Sequence, residues 1–326
     1  MKLNIKLSKI ANFFFFLSNL TEWHFSCRKD YNEVWLKNHP LSNEEKESLE
    51  KLRNILKKHG IRNNQEKITY LGRFFYLYNN KECWKKLSYE VNSRDFEEIK
   101  KTFSLFKKRF ELIWKEYKDD RIKIFRKEIS NKRVKSLFKD LSFFFNNNQK
   151  DNINVVLLIS PLEKEATASG SSNTGNNSVT FEYPKLELNS WQIKHAIGVL
   201  AHEIAHLFFD QRYIKYLKNA VIEEFSDKKL SNHFDLKSII EESVVSSFAP
   251  TGYLVQKYFN FSIGSLFFND LDKLLNVEDV KKLRVLIVKY AVWQLMPINM
   301  YYLKNKKIID EKYIFKTAKI IKEILK

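Results

Sequence analysis

The stretch Val199–Asp210, VLAHEIAHLFFD, sets two histidines four residues apart with a glutamate directly after the first. On a helix, residues four apart project from one face on successive turns. His202 and His206 can then offer two imidazole nitrogens to a single ion. Glu203 lies three residues before the second histidine, where its carboxylate reaches a water on that ion. Two nitrogen donors and an adjacent base are what metal-assisted hydrolysis requires: the ion polarises a carbonyl and acidifies water, and the carboxylate takes the proton. With seven histidines in 326 residues, composition alone would give this spacing in about one such chain in a hundred.

Two histidines are not enough for a catalytic zinc, which takes three protein ligands and keeps one position for water. A downstream helix, IIEESVVSSFAP (residues 239–250), offers Glu241 and Glu242 inside an otherwise apolar and small-residue run. Burying a carboxylate there is costly without a compensating partner, and a zinc ion is one. The plainer reading puts one acid at the surface and the other in a salt bridge. At about 100° per residue, Glu242 shares its face with Ile239, Ser243 and Ser246, whereas Glu241 points towards Val245 and Phe248. Small side chains at 243 and 246 let this helix approach the histidine helix, which favours Glu242 as the third ligand.

Other polar residues carry weaker signals. His195 sits two turns before His202, too far to join the same ion. His233, Tyr253, Tyr301 and Tyr302 are candidates for an oxyanion donor, and nothing in the sequence separates them. Asp210 or Asp235 could fix a ligand imidazole in its tautomer, although Asp235 reads more simply as a helix N-cap. The dense stretch TEWHFSCRKDY (21–31) follows no spacing rule.

The elements that must position these residues are mainly helical. Seven Gly and five Pro in this length favour long helices. Residues 1–150 read as a helical region, opened by an amphipathic first helix with an aromatic face. Within it, Phe96, Ile99, Phe103, Phe106, Phe110, Ile113, Trp114 and Tyr117 form one stripe at helical spacing. Breaks are expected at Gly60 and around 146–152. From 151 to 255 the texture changes: INVVLLIS (153–160) reads as a buried strand, ATASGSSNTGNNS (166–178) as a flexible loop, and VTFEYP (179–184) as an edge strand stopped by proline. A helix capped by Asn189 or Ser190 and ending near Phe209 follows, then one closed by Pro250. Residues 256–326 are helical again. The fold class is therefore mainly α with a small β-sheet, a catalytic core flanked by helical regions.

Net charge is +18, which raises nucleic acid or a lipid surface as an anionic partner. Basic residues alternate with apolar ones at helical spacing, as solvated helix faces do, so the charge does not favour nucleic acid. Cys27 and Cys83 are two lone thiols, which fits a reducing, cytoplasmic setting. The apolar run near the N-terminus is short, holds Asn12 and lacks a small-residue cleavage site, so it reads as a helix, with an atypical secretion signal as the alternative. No segment approaches the ~20 apolar residues of a membrane span.

The order strand, loop, strand, AHEIAHLFF helix and glutamate helix resembles the gluzincin metallopeptidases over residues 150–255. EsvVssFA is also similar to the E-x-x-A-x-x-F-A segment of the ImmA/IrrE-type metallopeptidases, with the ligand glutamate falling on Glu242. Here Val245 stands where that family has alanine and Ser246 where it has asparagine. The resemblance implies a Zn²⁺ peptidase that acts on a peptide or protein, with His202, His206 and Glu242 as ligands and Glu203 as general base. It also implies that VTFEYP runs beside the metal cleft and holds the substrate by strand addition. The alternatives are a zincin-fold protein without activity and a basic helical nucleic-acid-binding protein in which HEIAH is coincidental.

Overall fold

A computed structural model describes residues 1–24, 27–59, 71–116, 120–147, 152–162, 169–171, 177–183, 190–209, 211–225, 235–260 and 280–325. Its helices are α1 (Lys9–Leu20), α2 (Lys29–Leu36), α3 (Asn43–Lys58), α4 (Gly72–Leu77), α5 (Asn80–Glu90), α6 (Ser93–Glu116), α7 (Asp120–Ser130) and α8 (Lys132–Phe144). After the strands come α9 (Ser190–Phe208), α10 (Gln211–Glu224), α11 (Leu236–Ser246), α12 (Tyr253–Phe259), α13 (Val280–Lys304) and α14 (Glu311–Ile324). The strands are β1 (Lys2–Leu7), β2 (Asn152–Ile159), β3 (Ser169–Ser171) and β4 (Ser178–Tyr183). Mainly α with a small sheet is thus the architecture. None of the described helices is long and apolar enough to cross a membrane.

The chain divides into two compact units, residues 2–127 with 152–192, and residues 128–151 with 193–326. This cut differs from the three regions read along the sequence, because contacts follow packing rather than chain order. In the second unit α11 packs on α13 and α14, α10 on α14, and α8 on α12. The segment beyond residue 255 is therefore part of the body that carries HEIAH, while the strands belong to the other unit.

The first unit is built on a sheet of order β1-β2-β4-β3. β1 and β4 flank β2 in parallel, with Leu3 opposite Ile153 and Val155 opposite Val179; β3 pairs antiparallel with β4. The uninterrupted apolar run of β2 fits a strand flanked on both sides, and Ile153 through Ile159 are buried apart from Asn154. Two expectations are corrected here. The first residues form a strand rather than the start of a helix: Leu3, Ile5 and Leu7 alternate with polar residues at period two, and β2 supplies the ladder. VTFEYP is not an edge strand either, because Ser169–Ser171, in the stretch read as a flexible loop, folds back and pairs with Thr180–Glu182. A proline stops a strand along its length and does not say which side stays open.

Ser8 caps α1 by accepting from the Ala11 amide. Asn12 explains the polar interruption of the FFFF run. β1 ends at Leu7, opposite Leu157, and the Asn12 amide then serves as one more rung, donating to the Leu157 carbonyl at 2.9 Å and accepting from the Ile159 amide at 2.8 Å. Phe13, Phe14 and Phe16 pack with the α6 stripe and α4: Phe13 stacks on Phe110 at 4.3 Å, and Phe14 on Phe75 at 4.4 Å. Ile99, Phe103, Phe106 and Phe110 are buried as the periodicity requires, whereas Tyr117 and Gly60 lie outside the described residues. In the second unit α8 ends at Phe144, followed by Asn146 at φ 47°.

Candidate metal centre

α9 buries Ala196, Ile197, Leu200, Ala201, Ile204, Ala205 and Phe208, a face repeating at three and four residues. That stripe fixes the rotation of the helix and sets His202, Glu203 and His206 together on the partly exposed flank. α11 begins at its N-cap Asp235, whose carboxylate accepts from the Ser238 amide. It buries Ile239, Ile240, Ser243, Val244 and Val245, leaving Glu241 and Glu242 half-buried at its side.

These two helices bring two imidazole nitrogens and one carboxylate together. His202 Nε2 and His206 Nε2 are 3.2 Å apart, and each lies 3.3 Å from a different oxygen of Glu242. Ligands about 2.0–2.1 Å from a tetrahedral zinc are separated by about 3.3 Å, the edge of the tetrahedron. All three separations match that edge. His202, His206 and Glu242 form the one such group among the described residues. Glu203 lies about 100° round the helix from His202 and about 60° from His206. It is half-buried and engaged in an interaction of its own.

The outer nitrogens of both imidazoles are held. His206 Nδ1 faces Glu241 Oε1 at 2.9 Å, and His202 Nδ1 faces the Ala249 carbonyl at 3.0 Å. Each acceptor demands an N–H at Nδ1 and so leaves the Nε2 lone pair for the centre, the arrangement by which carboxylates and carbonyls orient metal-binding histidines. Ser246 Oγ donates to Glu242 Oε1 at 3.0 Å and steadies that carboxylate. Glu241 thus serves His206 from behind.

The electrostatics favour a cation here. Burial pulls His206 down, but hydrogen bonds to Glu241 and Glu242 outweigh it, and the imidazole is pushed up to about 10. Burial pushes Glu242 up, but the His206 hydrogen bond and the charge of His202 prevail and bring it down to about 2. His202 is held below its ordinary value by burial, against the pull of Glu242. The two carboxylates therefore hold a proton on His206; a divalent ion between the imidazoles and Glu242 would replace it.

The Ala249 carbonyl was not legible in the sequence, nor was what places it. A Cβ on Gly198, one turn before His202, would lie 2.6 Å from the Pro250 carbonyl oxygen, so only glycine lets the turn after α11 come this close to α9. Its signal was a glycine in a helix interior, where it costs about 1 kcal/mol relative to alanine. Behind the turn, the buried Asn299 of α13 donates to the Ser247 carbonyl at 3.0 Å and to Ser247 Oγ at 2.8 Å, and Tyr313 donates to Asn299. A buried asparagine in an apolar helix was the only trace of this network.

The remaining candidates lie elsewhere. His195 is not part of the donor group, and burial lowers its pKa. The Tyr302 hydroxyl donates to Asp310, and that of Tyr301 accepts from Lys307. Tyr253 is the first residue of α12, its amide bonded to the Ser247 carbonyl at 2.8 Å. His233 and Asp210 lie outside the described residues. No protein-family model, curated protein or solved structure matches this chain.

Proposed function

We propose that the protein is a zinc-dependent metallopeptidase in which His202, His206 and Glu242 hold the ion and Glu203 is the general base. The observation that carries this reading is the convergence of two imidazole nitrogens, 3.2 Å apart, on one carboxylate whose two oxygens each lie 3.3 Å from one of them, a spacing close to that between neighbouring ligands of one tetrahedral zinc. Bound zinc would supply Lewis acidity, polarising a carbonyl and making water acidic enough to attack at neutral pH. The residues do the rest. Glu241 and the Ala249 carbonyl fix the two imidazoles in the tautomer that binds. Glu203 removes a proton from the attacking water and returns it to the leaving nitrogen, which sets peptides apart from substrates with better leaving groups. The local resemblance of HEIAH and EsvVssFA to gluzincin segments supports the same reading.

Two measurements test it. His202→Ala and His206→Ala should each abolish stoichiometric zinc, because two remaining ligands hold the ion weakly. Glu203→Gln should keep the zinc and lose hydrolysis of an unfolded protein substrate by about 10²-fold or more. Full zinc in a histidine variant removes the site; undiminished turnover in Glu203→Gln removes the mechanism.

A further inference from the structure

Of the eleven large apolar side chains exposed among the described residues, five fall between positions 285 and 308: Val285, Trp293, Met300, Tyr301 and Ile308. Four belong to α13, whose opposite face packs on α11 and α14. Val285, Trp293 and Met300 follow one another by eight and seven residues, within a sector of about 80°. Their exposures are 54%, 42% and 51%. Pro297 is exposed beside them, so the patch runs about 24 Å along the helix from 285 to 301. A helix apolar on both faces is ordinarily buried on both, and a patch of this length marks an interaction surface.

Charge identifies the occupant. From 280 to 309 the chain has seven Lys and Arg and no Asp or Glu. Of the exposed cations, Arg284 precedes the patch, Lys289 stands within its first turn, and Lys304, Lys306 and Lys307 follow its far end. Between Lys289 and Lys304, about 22 Å of helix carries none. Lys307 lies over the Tyr301 ring at 4.7 Å, joining the cationic end to the aromatic surface. A second copy of the chain fits poorly, because pairing two such helices in either direction sets cations against cations with no carboxylate between them. A nucleic-acid strand wants charge along the track of its phosphates, where this helix is uncharged. An apolar, aromatic centre with cations at its rim suits an anionic bilayer surface: Trp, Met and Tyr enter the boundary region while lysines reach the headgroups.

We infer that the outer face of α13 docks the protein on anionic lipid surfaces, the helix lying in the interface plane rather than crossing it. The test uses the full chain and sedimentation with vesicles of phosphatidylcholine alone or mixed with phosphatidylserine. Partition onto the mixed vesicles should exceed that onto phosphatidylcholine by about tenfold or more. Trp293→Ser with Met300→Ser should weaken it about tenfold by removing exposed apolar surface, and Lys304→Glu with Lys306→Glu and Lys307→Glu should remove the preference for phosphatidylserine. Zinc content and thermal midpoint, unchanged in these surface variants, separate lost docking from lost folding. Equal binding to both vesicles overturns the inference. So does unaltered binding of the Trp293/Met300 variant, a concentration-dependent dimer that this variant abolishes, or retention on a single-stranded oligonucleotide with no vesicle partition.

Discussion

Gly198→Ala tests whether the turn after α11 holds the metal centre. The added methyl would lie 2.6 Å from the Pro250 carbonyl oxygen and 3.2 Å from its Cα, whereas ordinary contact begins near 3.4 Å. Relief requires a shift of about 0.8 Å, and α9 is held by its buried stripe, so the turn is what yields. A shift of that size away from α9 stretches the 3.0 Å contact between His202 Nδ1 and the Ala249 carbonyl to about 3.8 Å, beyond hydrogen-bonding range. Losing the partner that orients a ligand histidine typically weakens metal binding about 10–100-fold, equal to about 1.4–2.7 kcal/mol. Stability should fall by about 0–2 kcal/mol, since alanine gains about 1 kcal/mol over glycine in a helix against an overpacking cost of about 1–3 kcal/mol. Zinc affinity by competition with a chromophoric chelator, read beside the thermal midpoint of the metal-free protein, separates the two effects. A Gly198→Ala protein with wild-type zinc affinity refutes the reasoning.

The adjacent acids of α11 should behave differently. Glu242→Ala should empty the site, while Glu241→Ala, which removes only the acceptor for His206 Nδ1, should retain zinc with affinity lowered about 10–100-fold; zinc content of the two variants side by side decides, and the reverse order would mean that α11 is rotated from the orientation described. Asn299→Leu removes both bonds to Ser247 and the acceptor of the buried Tyr313 hydroxyl, so the thermal midpoint should fall along with zinc affinity; loss of midpoint alone would confine Asn299 to a packing role. In the other unit Asp95 accepts from Lys58, His59 and Asn92. Burial raises its pKa, but these bonds outweigh it and hold the carboxyl below its ordinary value. The stabilisation is therefore present above the unfolded carboxyl pKa of about 3.9 and is lost as pH falls through the lower folded value. Asp95→Asn should lower the midpoint at neutral pH and narrow its difference from wild type in acid; a difference that does not change with pH would rule out the carboxylate.

Local spacing determined much of this protein by itself. The 3.6-residue period fixes which face of α9 is buried, and so sets His202, Glu203 and His206 on one flank whatever the helix packs against. The same period separates Glu241 from Glu242, fixes the α6 stripe and reveals the Asp235 cap, because each involves residues within a turn or two of one another. Tertiary structure decided what depends on distant residues. The pairing of Lys2–Leu7 with a strand 150 positions away turns an apparent helix start into β1. Three residues within an apparent loop place VTFEYP inside the sheet. At the candidate metal centre, the sequence marks the proposed donors but not the groups behind them. The Ala249 carbonyl reaches His202 only because Gly198 leaves room, and Asn299 anchors the turn from a helix some fifty residues further on. A backbone carbonyl is present at every residue and a glycine's vacancy shows only against a neighbour, so neither leaves a periodic trace; packing alone gives them a role.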